Sequence, residues 1–183
     1  ESDSIKISGL AVKNFTNQFS RRKTTQTIQD YLIEESLVGI SDVDTRAIVR
    51  HIRSKGAMNC IISSETTDID VLTAKLNEVP DMNGLELASR VSTTTPYYIG
   101  NSDAEKKVIV YDFGVKKSIL DNIAIRGCYL KVVPAKTKFE DTLDFKADGY
   151  FISNGPGDPA SMGYAVETVK QILQNDKPLF GIC

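Results

Sequence analysis

The chain has 183 residues, 41% of them apolar and 25% charged, with a formal net charge of −2 at pH 7. That balance suits one large or two small globular domains with a real core, and it excludes the basic field of a nucleic-acid binder and the charge blocks of an acidic tail. No run approaches the ~20 apolar residues of a membrane helix, so neither nucleic acid nor a membrane is an expected partner, and a cytoplasmic setting is expected.

The opening E-S-D-S-I-K-I has no Met and no basic-then-apolar pattern, so it reads as an internal cut in a longer polypeptide rather than a signal peptide. The cysteines, Cys60, Cys128 and Cys183, are odd in number, widely spaced and without a C-x-x-C pair. A reducing compartment fits them, and neither a zinc site nor a disulfide framework does.

In chain order, T-T-Q-T-I-Q-D-Y-L-I-E-E-S places Ile28, Tyr31, Leu32 and Glu35 at helical spacing. In S-D-V-D-T-R-A-I-V-R-H-I-R-S-K-G, Ser41 and Asp44 form a variant of the capping box and Gly56 ends the helix. The apolar stripe runs through Val43, Ala47, Ile48 and Ile52. Arg46, Arg50 and Arg53 fall on another face, a solvated charge face or a docking surface for an anionic partner. The one histidine, His51, lies on this helix with no nucleophile beside it, which makes it a poor catalytic base.

A composition break at residues 92–106, rich in Thr, Pro, Gly and Asn, marks a linker, set at 96–105 between a unit over 1–95 and a unit over 106–183. The second unit is regular. K-V-I-V-Y-D-F is a buried strand, V-K-K-S-I-L-D-N-I-A-I-R-G a helix ending at Gly127, and C-Y-L-K-V-V-P a strand. Then D-G-Y-F-I-S gives a third strand, A-S-M-G-Y-A-V-E-T-V-K-Q-I-L-Q-N-D a helix and P-L-F-G-I-C a fourth strand. This alternation predicts an α/β fold, an open and mostly parallel sheet with flanking helices, preceded by a smaller mixed α/β domain.

In such sheets ligands bind outside the carboxyl ends of the strands, which here are Asp112-Phe113-Gly114, Ser153 to Asp158, and Cys183. The D-F-G triplet lacks the other kinase motifs and reads as a strand end with a turn glycine. S-N-G-P-G-D-P has two glycines and two prolines in five residues, which fix an unusual path and expose backbone N–H groups, either as a binding loop or as an elaborate turn. F-G-I-C has the form of a nucleophile elbow, where a helix N-terminus would favour the thiolate; a small buried cysteine is the plainer alternative.

S-N-G-P-G-D-P followed at this distance by P-L-F-G-I-C resembles the class I, triad-type glutamine amidotransferase domain. Residues 38–60, V-I-V-Y-D-F-G-V-K-K-S-I-L and V-V-P-A-K-T resemble, within that class, the small glutamine-hydrolysing subunits of carbamoyl phosphate synthetases. The resemblance implies that residues 1–95 are the later part of the small-subunit N-terminal domain and that 106–183 begin the amidotransferase domain. It implies that Cys183 is the nucleophile attacking the glutamine side-chain amide, and that Gly155 and Gly157 form the glutamine-binding loop. The Gly155 amide would be one oxyanion donor, worth roughly 3 kcal/mol to the transition state. The second donor, the catalytic His and its Glu partner follow the cysteine in the family, so the 183-residue chain alone is expected to be inactive.

The resemblance further implies no metal or cofactor in this chain, and a large synthetase subunit that uses ATP, with a divalent metal, to make carbamoyl phosphate for pyrimidine and arginine synthesis. Two other readings stay open on the residues alone: an amidotransferase of another pathway, such as an anthranilate- or guanylate-forming relative, and a catalytically silent α/β binding module.

Overall fold

A computed structural model of the chain describes residues 7–18 and 26–183. Two compact units part between Met82 and Asn83, ahead of the expected linker.

In the unit that runs to Met82, β1 (Gly9–Ala11) pairs in parallel with β2 (Val38–Ile40). Helix α1 (Ile28–Glu34) lies within the predicted segment, of which Thr24 and Thr25 fall outside the described residues. Thr27 caps it: its hydroxyl accepts from the Asp30 amide at 3.0 Å and donates to the Asp30 carboxylate at 2.6 Å. Leu32 is buried, packed near Gly39.

Helix α2 (Thr45–Lys55) ends at Gly56 as expected, but its cap is Asp44, which accepts from the Ala47 amide at 3.0 Å. Ser41, expected to cap it, instead donates to Asp42 at 2.9 Å. The left-handed turn at Asp42, φ +62°, delays the helix and carries Ser41 out of capping range. The predicted apolar stripe of α2 is not buried either, with Ile48 41% and Ile52 40% exposed. Helix α3 (Ile69–Asn77), capped by Asp68 accepting from the Asp70 and Val71 amides, has no counterpart among the predicted elements.

The unit from Asn83 begins with the single turn α4 (Ala88–Val91), then β3 (Tyr97–Ile99), β4 (Lys106–Asp112), α5 (Lys117–Ile125) and β5 (Cys128–Pro134). A 3-10 segment at Glu140–Phe145 leads to β6 (Gly149–Ile152), α6 (Gly163–Gln174) and β7 (Leu179–Gly181). The sheet order is β3-β5-β4-β6-β7, parallel except for β3 at one edge. Part of the expected linker is thus a strand: Tyr97–Ile99 pairs antiparallel with Leu130–Val132. Three residues are too few to show a period in the sequence.

Alternation along β4 and β5 builds a core on each face of the sheet. Ile109, Tyr111, Val133 and Tyr150 pack with Ile172 of α6 on one face. Val110, Leu130, Val132 and Phe151 pack with Leu120 of α5 on the other. The chain moves from β4 to β5 on one side and returns to β6 on the opposite side, so right-handed crossovers require α5 and α6 on opposite faces. The reversal opens a crevice at the carboxyl ends of β4 and β6.

Two glycines should give opposite responses to alanine. Gly163, in the first turn of α6, has open space where a Cβ would go. Gly163→Ala is expected to stabilise by about 0.4–1 kcal/mol in urea unfolding. Gly100 has φ +97° and would place a Cβ 2.5 Å from the Cys128 carbonyl, so Gly100→Ala should destabilise by about 1–2 kcal/mol or more.

Candidate active site

The three strand ends singled out in the sequence meet at this crevice. At the end of β4 the buried Asp112 accepts from the amides of Gly114 and Val115, each at 2.9 Å, and of Thr93 at 2.7 Å. Its carboxylate is therefore occupied in shaping the turn, as the strand-end reading of D-F-G predicts.

The end of β6 is tied to it. The buried Ser153 hydroxyl accepts from the Phe113 amide at 2.9 Å and donates to the Asn154 carbonyl at 2.8 Å. The Asn154 side-chain amide donates to the Gly114 carbonyl at 3.3 Å. Next, Gly155 lies so close to the end of β4 that a Cβ there would come within 2.2 Å of the Phe113 carbonyl oxygen. Gly157 adopts φ +96°, and a Cβ there would meet the Leu85 carbonyl at 2.7 Å and the Leu87 amide at 2.9 Å. Both glycines thus have a packing reason as well as the expected one of exposing backbone. Among the described residues, neither the Gly155 nor the Gly157 amide meets an acceptor.

Asp158 closes the loop. Its carboxylate accepts from the Ala160 amide and from the Gly84 amide, both at 2.9 Å, while its own amide donates to the Leu85 carbonyl at 2.9 Å. The Gly84 and Ala160 amides hold its carboxyl below the usual carboxylate range.

At the end of β7 the Ile182 amide still donates to the Ile152 carbonyl, at 3.1 Å, so the ladder carries the chain to the crevice. Cys183 follows, exposed, with φ +96°. Cys183, Gly155 and Gly157 line one cavity of about 480 Å³ together with Phe113, Ile152 and Met162. The three predicted site residues are thus brought together. His51 is not one of them; it lies exposed on α2, in the unit that ends at Met82.

Residues that sequence reasoning missed lie in the strap 83–93. Glu86 accepts from the Ser89 hydroxyl, from the Ser89 amide at 2.8 Å and from the Tyr164 hydroxyl at 2.9 Å, with Lys136 3.7 Å away. The Ser89 hydroxyl first, then the Ser89 amide, Tyr164 and Lys136, hold the Glu86 carboxyl down at about 2 against the resistance of burial. Burial, reinforced by Glu86, pushes the Tyr164 phenol up. The Asn-Gly pair at 83–84 is a turn signal, but nothing local announces a partner for the Gly84 amide 74 residues later.

Among the described residues no group of three or more His, Cys, Asp or Glu is disposed to hold a metal, and no helix is long and apolar enough to cross a membrane. A second hollow, of about 380 Å³, lies in the unit that ends at Met82 and is lined by Leu10, Phe15, Leu32 and other residues without an ionisable group.

Comparison with known proteins agrees with the geometry. Residues 109–183 match the family model "Glutamine amidotransferase class-I", and residues 1–62 match "Carbamoyl-phosphate synthase small chain, CPSase domain". The whole chain aligns with the carbamoyl phosphate synthase small chain of Chlorobaculum tepidum at 38% identity over 185 residues, covering 50% of that protein. It aligns with those of Vibrio vulnificus and a Synechococcus species at 40% identity, over 199 and 195 residues, covering 52% and 50% of them. The chain spans about half the length of the curated relatives it matches. The chain belongs to the carbamoyl phosphate synthase small chain family, with a class-I glutamine amidotransferase domain from residue 109.

Proposed function

We propose that the protein to which this chain belongs is the glutaminase subunit of a carbamoyl phosphate synthetase, with Cys183 as its nucleophile and the Gly155–Gly157 loop as its glutamine-binding loop. The observation that carries the reading is the convergence of Cys183 and the unpartnered amides of Gly155 and Gly157 on one cavity at the carboxyl edge of a parallel sheet.

The thiolate of Cys183 attacks the side-chain amide carbon of glutamine, and the carbonyl oxygen takes the negative charge of the tetrahedral intermediate. The Gly155 amide donates to that oxyanion, a contribution worth roughly 3 kcal/mol in a preorganised site. Protonation of the nitrogen lets ammonia leave and the C–N bond break, giving a γ-glutamyl thioester; water then releases glutamate and restores the thiol. That proton transfer needs a general base and acid, worth about 10² to 10⁴ in rate, which the family resemblance assigns to a His–Glu pair C-terminal to the cysteine.

Ammonia passes, in this reading, to a large synthetase subunit, where ATP and a divalent metal are used, in a cytoplasmic heteromer that supplies pyrimidine and arginine synthesis. The exposed arginines of α2, Arg46, Arg50 and Arg53, are a candidate docking surface for that subunit.

In the full-length assembly, Cys183→Ser is expected to abolish glutamine-dependent carbamoyl phosphate synthesis and to leave ammonia-dependent synthesis within about twofold of wild type. Equal loss of both would make the cysteine structural. Gly155→Ala must displace either the loop or the end of β4. It should cost about 1–3 kcal/mol of stability and also lower glutamine turnover per folded molecule by about 10². Unfolding curves and kcat measured on the same samples separate the two effects, and unchanged turnover per folded molecule would remove Gly155 from the oxyanion site.

A further inference from the structure

We propose that the strap 83–93 is a positioning element of the glutamine site, held by Asp158 and Glu86 so that the Gly155–Gly157 amides stay aimed at the reacting carbonyl; this rests on the function proposed above.

The loop is held on two sides. One side is covalent neighbourhood and packing against β4, where Gly155 sits on the Phe113 carbonyl. The other side is the strap, which meets the loop by a reciprocal pair of hydrogen bonds: Asp158 accepts from the Gly84 amide through its side chain and donates to the Leu85 carbonyl through its backbone. Gly157 is a glycine because the Leu85–Leu87 backbone occupies the place of its Cβ. Without the strap, the far end of the stretch carrying the two amides would be held only by the Asp158–Ser161 turn that leads into α6.

The strap is itself fastened at the carboxyl ends of β4 and β5. Its Thr93 amide donates to Asp112 at the end of β4 at 2.7 Å, and its Ser92 hydroxyl accepts from the Ala135 amide just past β5 at 2.9 Å. Ala88, within the strap, is fully buried. Between these anchors Glu86 crosses to Tyr164 of α6, whose ring lies edge-on to Phe113 at 6.3 Å between centroids. A shift of Glu86 is therefore felt through Tyr164 at the same Phe113 on which Gly155 rests. Asp158, Glu86 and Tyr164 do not line the cavity, so they act on the reaction through the loop and through Phe113, which does, and not by touching substrate.

The test uses the full-length protein with its synthetase partner. Asp158→Asn leaves the shape unchanged but turns one acceptor oxygen into a donor, so either the Gly84 or the Ala160 amide loses its partner; Glu86→Ala removes the tie to Tyr164. Each is expected to lower kcat for glutamine about tenfold to a hundredfold with KM within about threefold, as misplacement of a reacting group by an ångström does. Ammonia-dependent synthesis should be unchanged, and hydrogen exchange, corrected for intrinsic rate, should quicken at least about tenfold at the hydrogen-bonded amides that join loop and strap to the site, those of residue 158 (to the Leu85 carbonyl) and Thr93 (to Asp112), as expected when a local opening becomes easier.

A fall in melting temperature with kcat per folded molecule and loop exchange both unchanged would overturn the proposal, as would a change in KM alone. Should wild-type glutamine turnover survive Cys183→Ser, the functional reading fails instead, and the exchange arm decides the strap: quickened exchange in Asp158→Asn supports it and unaltered exchange overturns it.

Discussion

The site depends on one close approach. The ends of β4 and β6 come together so tightly that residue 155 has no room for a side chain against the Phe113 carbonyl. A parallel sheet whose order reverses at β4 opens a crevice there in any case. The approach of Gly155 gives that crevice a floor made of backbone. A floor of backbone presents N–H groups at fixed positions, which side chains with free rotamers do less well, because no conformational entropy remains to be lost when they bind. Ser153 contributes to the same end by bridging the two strand ends with its hydroxyl.

Around this contact the carboxylates serve backbone amides. Asp112 holds three of them, Asp158 two, and Glu86 combines an amide with two hydroxyls. Charge-assisted acceptors bind amides more strongly than neutral ones and fix turns that propensity alone would leave loose. The family resemblance accounts for the thiol and the glycines. The carboxylate clasps explain how a loop of short-range turns can hold its backbone amides in fixed positions.

What was legible in the sequence follows from range. β4, α5, β5 and α6 announce themselves because each has enough residues to show its own period and a glycine, proline or cap to end it. The Gly-Pro loop and the terminal cysteine were legible as strand ends because the βαβ alternation fixes which end faces the ligand. Three features were not. β3 has three residues and finds its partner only once β5 exists. α3 carries a short apolar stripe, Ile69, Leu72 and Leu76, behind its Asp68 cap, but in nine residues, none of them buried, and beside the Thr- and Asp-rich stretch before it that signal goes unread. The cap of α2 was misplaced by three residues because a left-handed turn at Asp42 is a backbone choice that Ser-Asp-Val-Asp does not dictate. The strap is the extreme case: its anchoring contacts reach residues 19, 43, 74 and 78 positions away.

The acidity of Glu86 bears on what such a site shows in solution. A carboxyl whose folded pKa is depressed from 4.5 to about 2 contributes stability that is fully present above its unfolded value and is lost as the pH falls toward 2. Asp158, depressed by the Gly84 and Ala160 amides, follows the same sign. Both ties therefore keep one charge state across the whole range in which a thiol and an imidazole exchange their protons. Lys136, 3.7 Å from Glu86, is a minor partner in that balance beside the Ser89 and Tyr164 hydroxyls. The hydrogen bonds that hold the loop are accordingly insensitive to pH near neutrality, and on the function proposed above a pH dependence of glutamine turnover in that range would report the thiol and its base rather than these ties.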